Sequence, residues 1–414
     1  MNLKRRARTL STIVLMLLAK EKLTGATITQ AHRGARHLSL GVRLTNPTEL
    51  DKALKLAEAI ALSSNSEAVI AQRQAGLILY QFQLVQGFWE SYTRADLPTP
   101  AAVGLAEQRR PVSFELDPPH ALIAGTTGSG KSETVKSVLL SLMGSYSPAE
   151  LSLILIDPNH DYNDFDNAAY LAQPIAHNAA SIRQALTYAN RELVNRLENN
   201  NRTSKLLIVA IDEAESDNAL GDAVNLEFAR NIAKQGRKYR VHLLIASTKP
   251  TQKNMSGLVD QTLNRFVGLV ADAHESARLT GHSGLDAHKL TGKGDFIHVT
   301  GPSIARFQVA LATRQDFDNL PRAEIRPVEA VCPLGIEPDL IILPDDPEPP
   351  AGGRPSIQVD PVQAARYLWH NPNTISIARA QMEFGLSRTA HNLTKEFTIQ
   401  FAVELKRLRK AMSA

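Results

Sequence analysis

Gly125, Gly130, Lys131 and Ser132 fill the pattern G-x-x-x-x-G-K-[ST] in Pro119–Ser132, PHALIAGTTGSGKS. That spacing serves phosphate chemistry. Glycines let the backbone curl so that successive N–H groups converge on phosphate oxygens, and a following helix N-terminus adds partial positive charge. Lys131 is placed to reach β- and γ-phosphates, and Ser132 to hold Mg²⁺. The expected nucleotide site is Gly125, Thr126, Thr127, Gly128, Ser129, Gly130, Lys131, Ser132 and Glu133, with ATP and Mg²⁺ as cofactors. A plain Gly/Ser turn is the competing reading. The context argues against it, because a short apolar strand (Ala121–Ala124) precedes the loop and a helix pattern (Glu133–Leu142) follows.

Hydrolysis also needs an activated water and positive charge for the transition state. Asp212-Glu213 follows the apolar run LLIVAI. There Asp212 would order the Mg²⁺ shell and Glu213 would polarise the water; the bland alternative is an acidic pair closing a buried strand. Thr248 ends a neighbouring strand, as a γ-phosphate sensor or a turn residue. Arg237, in QGRKY, is an arginine finger for the next subunit or an ordinary surface arginine. His160-Asp161 lies beyond a strand end, lining the site or simply a loop. His32 and His37 are five apart, off a common helix face. No Cys/His zinc spacing and no Ser-His-Asp arrangement is identifiable.

The elements that position these residues alternate strand and helix from Pro119 onward, which marks a parallel sheet covered by helices. Strands are expected at Leu151–Ile156, Leu206–Ile211, Val241–Ala246 and Phe266–Val270, and helices at Ala180–Leu197 and about Asn225–Gln235. Gly294–Val299 with Ala305–Ala312 reads as a hairpin. The polar clusters after Ile156, Ile211 and Ala246 all follow strand carboxyl ends, where ligands of such sheets bind. Upstream, His37–Leu44, Ala68–Ala71 and Leu77–Leu84 read as strands and Asn46–Leu62 as one helix, giving a small α/β unit. The expected organisation is an N-terminal helical segment (1–33), the small α/β domain (34–118), a nucleotide-binding domain (119–325), a Pro-rich linker (326–355) and a helical unit (356–414).

The 414 residues carry a net charge of only +4, so no strongly basic coat exists. Ser356–Ala414 holds eight Lys/Arg against four Asp/Glu. Within it, Ile375–Phe384, Gly385-Leu386 and Ser387–Phe397 read as helix–turn–helix. Arg388, His391, Asn392 and Lys395 share one polar face of the second helix, suited to DNA phosphates or base edges or simply to solvent. A single cysteine, Cys332, excludes an internal disulfide and suits a reducing cytoplasm. The apolar run Thr9–Ala19 is about half the ~20 residues a membrane span needs. Lys20-Glu21-Lys22 follows it where a signal peptide would have small residues. A core or amphipathic helix is expected, and no stable transmembrane segment; a membrane-surface anchor is the alternative.

With these motifs in place, PHALIAGTTGSGKSETVKSVLLSLM closely resembles the phosphate-loop region of the FtsK/SpoIIIE DNA translocases. LILIDP resembles their next strand, with Asn159 where many members have lysine, and LLIVAIDEA their second acidic motif. QGRKYRVHLLIASTKPT is similar to the family stretch K-A-R-A-A-G-I-H-L-V-L-A-T-Q-R-P-S. That alignment sets Arg237 on the trans-acting arginine and Thr248 where the family carries a glutamine sensor. The stretch from Leu263 to Val299 matches the closing segment, with Arg265, Arg278 and Gly294-Asp295 in register. TISIARAQMEFGLSRTAHNL is similar to the C-terminal winged-helix domain, although FTIQFAVELKRLRKA looks helical where a β-wing would stand.

The resemblance implies a RecA-like P-loop ATPase fold with a small N-terminal domain and a C-terminal helix–turn–helix. It implies ATP-dependent translocation on double-stranded DNA by a homo-oligomeric ring, a hexamer, with ATP at subunit interfaces. The short chain without several membrane spans suggests a cytoplasmic, mobile-element- or phage-like member. Alternatives are a conjugative or genome-packaging ATPase, an FtsK-like protein-export ATPase, and a DNA-binding regulator that uses ATP as a switch.

Overall fold

Apolar periodicity builds two sheets in series. The computed structural model describes residues 3–325 apart from 75, 251–254 and 256. The first sheet is formed by β1 (Thr27–Arg33), β2 (His37–Arg43), β3 (Val69–Gln74) and β4 (Leu77–Gln83), in antiparallel order β1-β2-β4-β3. Three helices go with it: α1 (Leu3–Lys20), α2 (Leu50–Leu54) and α3 (Ala57–Ser64). Leu10, Val14 and Leu18 recur every four residues on α1, which puts them on one face. All three are buried in a cluster with Leu38, Leu40, Ile60, Tyr80 and Phe82. The N-terminal apolar run is therefore a core helix. Among the described residues no helix is long and apolar enough to cross a membrane.

Three expectations for this region change. Thr27–Arg33 pairs with β2 as a hairpin, so a boundary at residue 33 cuts through the sheet. Its half-exposed, alternating edge (TITQAHR) gave only a weak apolar signal. The single helix over Asn46–Leu62 is broken into α2 and α3. Asn46 does cap the start, accepting from the Thr48 amide at 3.1 Å. However, Tyr80 Oη donates to the Ala53 carbonyl at 2.7 Å, occupying an oxygen that a continuous helix would give to Ala57. Finally, the strands between residues 92 and 113 join the second sheet instead of the small one.

That second sheet contains β5 (Tyr92–Thr93), β6 (Ala102–Ala106), β7 (Pro111–Ser113), β8 (Ala121–Ala124), β9 (Leu151–Ile156), β10 (Leu206–Ile211), β11 (Val241–Ser247), β12 (Asn264–Val267), β13 (Asp295–Thr300) and β14 (Ser303–Leu311). Its order is β7-β6-β14-β13-β12-β8-β11-β10-β9, with β5 beside β14. The run β12-β8-β11-β10-β9 is parallel and the β12–β13–β14 meander is antiparallel. The helices of this region are α4 (Lys131–Ser145), α5 (Ala179–Glu198), α6 (Ala223–Gln235), α7 (Ala273–Thr280) and α8 (Arg314–Asp318). β8, β10 and β11 are buried along their whole length, as parallel strands covered on both faces must be. Their near-continuous apolar sequences made this part of the fold legible. Register sets Ile211 beside both Ile156 and Ile245, and Ser247 beside Ala124. The residues that follow these strands thus emerge along one edge of the sheet.

A polar seam joins the two sheets. Glu107 accepts from Ser39 Oγ and from Gln81 Nε2, and its carboxylate lies 3.0 Å from His37 Nε2. Beside it, Arg306 donates twice to Asp295, at 3.0 and 2.7 Å, with both side chains almost fully buried. Arg388, His391, Asn392, Lys395, the 326–355 linker and Cys332 lie outside the described residues.

Candidate active site

The phosphate loop is held open by its neighbours. Thr126 donates its amide and hydroxyl to the Leu269 carbonyl, at 2.7 and 3.0 Å. Lys293 and Gly294 donate their amides to the carbonyls of Gly128 and Ser129, at 3.0 and 2.7 Å. Gly130 has φ +101°, and a Cβ there would sit 2.6 Å from the Gly294 amide nitrogen. Only glycine satisfies both constraints. Lys131 then opens α4, whose first-turn amides have no intrahelical acceptors. Glu133 follows in that first turn.

The acidic pair stands on the same sheet edge. Asp212, at the end of β10, is buried; Tyr162 Oη donates to its Oδ2 at 2.7 Å and the Glu213 amide to its Oδ1 at 2.9 Å. Burial raises the Asp212 pKa, against the opposing pull of the Tyr162 and Glu213 bonds and of the Lys131 charge. Glu213 has φ +46°, a left-handed backbone that is strained for a non-glycine residue. Its pKa is raised by burial first, then by the negative charges of Glu215 and Asp212, while Lys131 pulls the other way. A carboxyl so placed is suited to take a proton from water.

Thr248 follows β11, as the sequence predicts, but it is already engaged. Its amide donates to Glu215 Oε1 at 2.8 Å and its hydroxyl donates to the same oxygen. Burial alone would raise the Glu215 pKa, yet hydrogen bonds from Thr248, from Ser247 and from its own backbone together lower it. Glu215 thus ties the acidic segment to the adjacent strand end. Sequence reasoning passed over it because the Asp212-Glu213 pair absorbed the acidic signal. Tyr162 was also missed; its one sequence cue is its position five residues beyond Asp157. Asp157 Oδ1 and Oδ2 accept the amides of Asp161 and Tyr162 at 3.1 and 2.9 Å, curling that loop over the site. Ser132 Oγ donates to Asp161 Oδ2 at 3.3 Å.

Ser132, Asp161 and Asp212 offer only oxygen donors, the chemistry of a hard cation. Among the described residues no group of three His, Cys, Asp or Glu side chains is placed to hold a metal. The residues therefore fit Mg²⁺, which keeps waters and takes phosphate oxygens as ligands, and not a metal caged by protein alone.

Arg237 is not brought to this site within the chain. It precedes β11, at the opposite end from Ser247, roughly 20 Å away along a seven-residue strand. Its side chain is 65 % exposed and pairs with Asp117 at 3.0 Å. Arg265 and Arg278 have local structural roles. Arg265 donates to the carbonyls of Thr262, Leu279 and Val259, and Arg278 to that of Pro250.

Comparison with known proteins accords with this geometry. Residues 83–277 match the FtsK/SpoIIIE family. Those residues form an FtsK/SpoIIIE-family domain. Its FtsK/SpoIIIE domain is a phosphate-loop ATPase domain with Lys131, Asp212 and Glu213 on one sheet edge. A DNA translocase SftA of Bacillus subtilis is 27 % identical over 299 residues, covering 64 % of this chain and 31 % of that protein. A DNA translocase FtsK of Borreliella burgdorferi is 30 % identical over 232 residues, covering 50 % of this chain and 29 % of that protein. The chain thus spans less than a third of the length of either relative. Among solved structures, the cytoplasmic domain of the Thermomonospora curvata type VII secretion ATPase EccC is similar at TM-score 0.45 and 24 % identity, covering 51 % of this chain and 28 % of that one. The pCW3 conjugation coupling protein TcpA is similar at TM-score 0.46 and 17 % identity, covering 73 % and 95 %.

Proposed function

We propose that this chain hydrolyses ATP to move along double-stranded DNA. One observation carries the reading: the phosphate loop and the Asp212-Glu213 pair share one sheet edge, close enough for Lys131 to affect both carboxyls. The loop amides and Lys131 bind the phosphates, and Ser132 and Asp212 would hold Mg²⁺. When bound, that ion neutralises charge on the β- and γ-phosphates. Glu213 orients the attacking water and accepts its proton. Thr248, tied to Glu215, stands near the terminal phosphate and carries its presence to the adjacent strand. Arg237, too far from its own loop, completes the site of a neighbouring copy in a ring, by family likeness a hexamer. DNA is held through its phosphates, which makes motion largely sequence-independent and salt-sensitive. The helix–turn–helix residues Arg388, His391, Asn392 and Lys395 supply loading or orientation preference.

The test is ATP turnover by the assembled protein with and without linear duplex DNA. Duplex should raise the rate many-fold, and Lys131→Ala should abolish it. Assembled Arg237→Ala should turn over at least about 10³-fold more slowly, in line with other arginine fingers. Full activity in that variant removes the trans role. Turnover that ignores DNA but responds to a protein partner replaces the translocase reading with the export one.

A further inference from the structure

The acidic pair fixes which way a nucleotide lies on the loop. Asp212-Glu213 ends β10, which reaches β8 through β11 on one side. The γ-phosphate end of the site is therefore on that side. On the other side of β8 come β12, β13 and β14, and there a cavity of about 440 Å³ opens against the end of the loop. Gly130 and Glu133 form its inner rim, and Lys293 and Gln308 one wall. Its outer wall is Arg36 and Trp89, supplied by the segments around the N-terminal sheet and not by the phosphate-binding strands. No phosphate chemistry explains an indole at this position.

The wall is held by hydrogen bonds and a stacked cation. The Arg36 guanidinium lies 4.4 Å from the Trp89 ring centroid. Arg36 Nε donates to Gln308 Oε1 at 2.7 Å, and its terminal nitrogen donates to the Lys293 carbonyl at 3.1 Å. Gln308 Nε2 donates to the same carbonyl at 3.0 Å. Trp89 Nε1 donates to the Leu84 carbonyl at 2.7 Å, which fixes the indole edge. Lys293 and Gly294 are in turn bonded to the phosphate loop. Planar, cationic and aromatic groups held beside a phosphate cradle suit a nucleobase, whose π-face stacks on aromatic rings and guanidinium planes. The volume is in the range of small-molecule sites.

We propose that this cavity receives the base and ribose of the nucleotide, with the Trp89–Arg36 pair as the stacking platform that selects a nucleoside triphosphate over bare triphosphate. The proposal rests on nucleotide binding at the phosphate loop. It also makes the N-terminal layer part of the nucleotide site.

Trp89 and Trp369 are the only tryptophans, so a Trp369→Phe chain reports on Trp89 alone. In that background, ATP with Mg²⁺ should change Trp89 emission, whereas tripolyphosphate should bind without doing so. Calorimetry on the full chain should show Trp89→Ala weakening ATP by at least about tenfold, as loss of a stacked base does, while tripolyphosphate affinity stays within about twofold. Trp89→Phe should recover most of the ATP affinity and guards against a folding defect. Equal weakening of both ligands, or of neither, overturns the proposal. If tripolyphosphate binds as expected but ATP does not disturb Trp89, the platform is wrong and the phosphate loop stands. If neither ligand binds, both readings fall.

Discussion

At the scale of single residues, the site works through contrasts between neighbouring carboxyls. Asp212 is buried and doubly hydrogen-bonded, which suits it to a fixed metal-ordering role. Glu213 is less enclosed, strained, and lifted in pKa by burial and by Glu215 and Asp212. Only the ionised form can accept a proton, so kcat should fall as pH drops through a value above the ordinary glutamate range. Glu215→Gln removes one of the like charges that raise Glu213, so it should move that acid limb to lower pH. An unmoved limb would remove Glu215 from the electrostatics of the base. Glu213→Gln should leave ATP binding intact and slow hydrolysis by ~10²-fold or more. Among these residues, those with a motif were legible in the sequence. Tyr162 and Glu215 were not, because a lone tyrosine in a loop and a third acid beside a motif carry no spacing signal. Their roles come from where β9, β10 and β11 end together.

At the scale of elements, buried parallel strands announce themselves and edges do not. ALIA, LSLILI, LLIVAI and VHLLIAS read directly as strands because both faces are covered. TITQAHR did not, being half exposed, and the broken helix after Asn46 turns on a long-range bond from Tyr80. The polar seam between the sheets was invisible for the same reason, since its partners come from distant strands. It has a measurable consequence. Arg306→Ala leaves Asp295 buried beside an empty space, a change that costs about 3–5 kcal/mol when a buried pair loses one member. Urea unfolding should report that loss as a lower midpoint. A change under about 1 kcal/mol would mean that water already reaches Asp295.

At the scale of the whole molecule, the proposed ring would complete each site from a neighbouring copy. The phosphate loop, acidic pair and Thr248–Glu215 link lie on one edge of the sheet, while the exposed Arg237 lies at the far end of β11. Under that proposal, a ring that sets one chain's Arg237 against the next chain's loop would make hydrolysis depend on neighbours and give each turnover a direction around the DNA. The most direct measurement is displacement of a triplex-forming strand from linear duplex DNA, with ATP, by the wild-type chain and by Glu213→Gln. Translocation predicts ATP-dependent displacement by the wild type and none by Glu213→Gln. A wild-type chain that binds duplex and hydrolyses ATP, yet leaves the third strand in place, would contradict it.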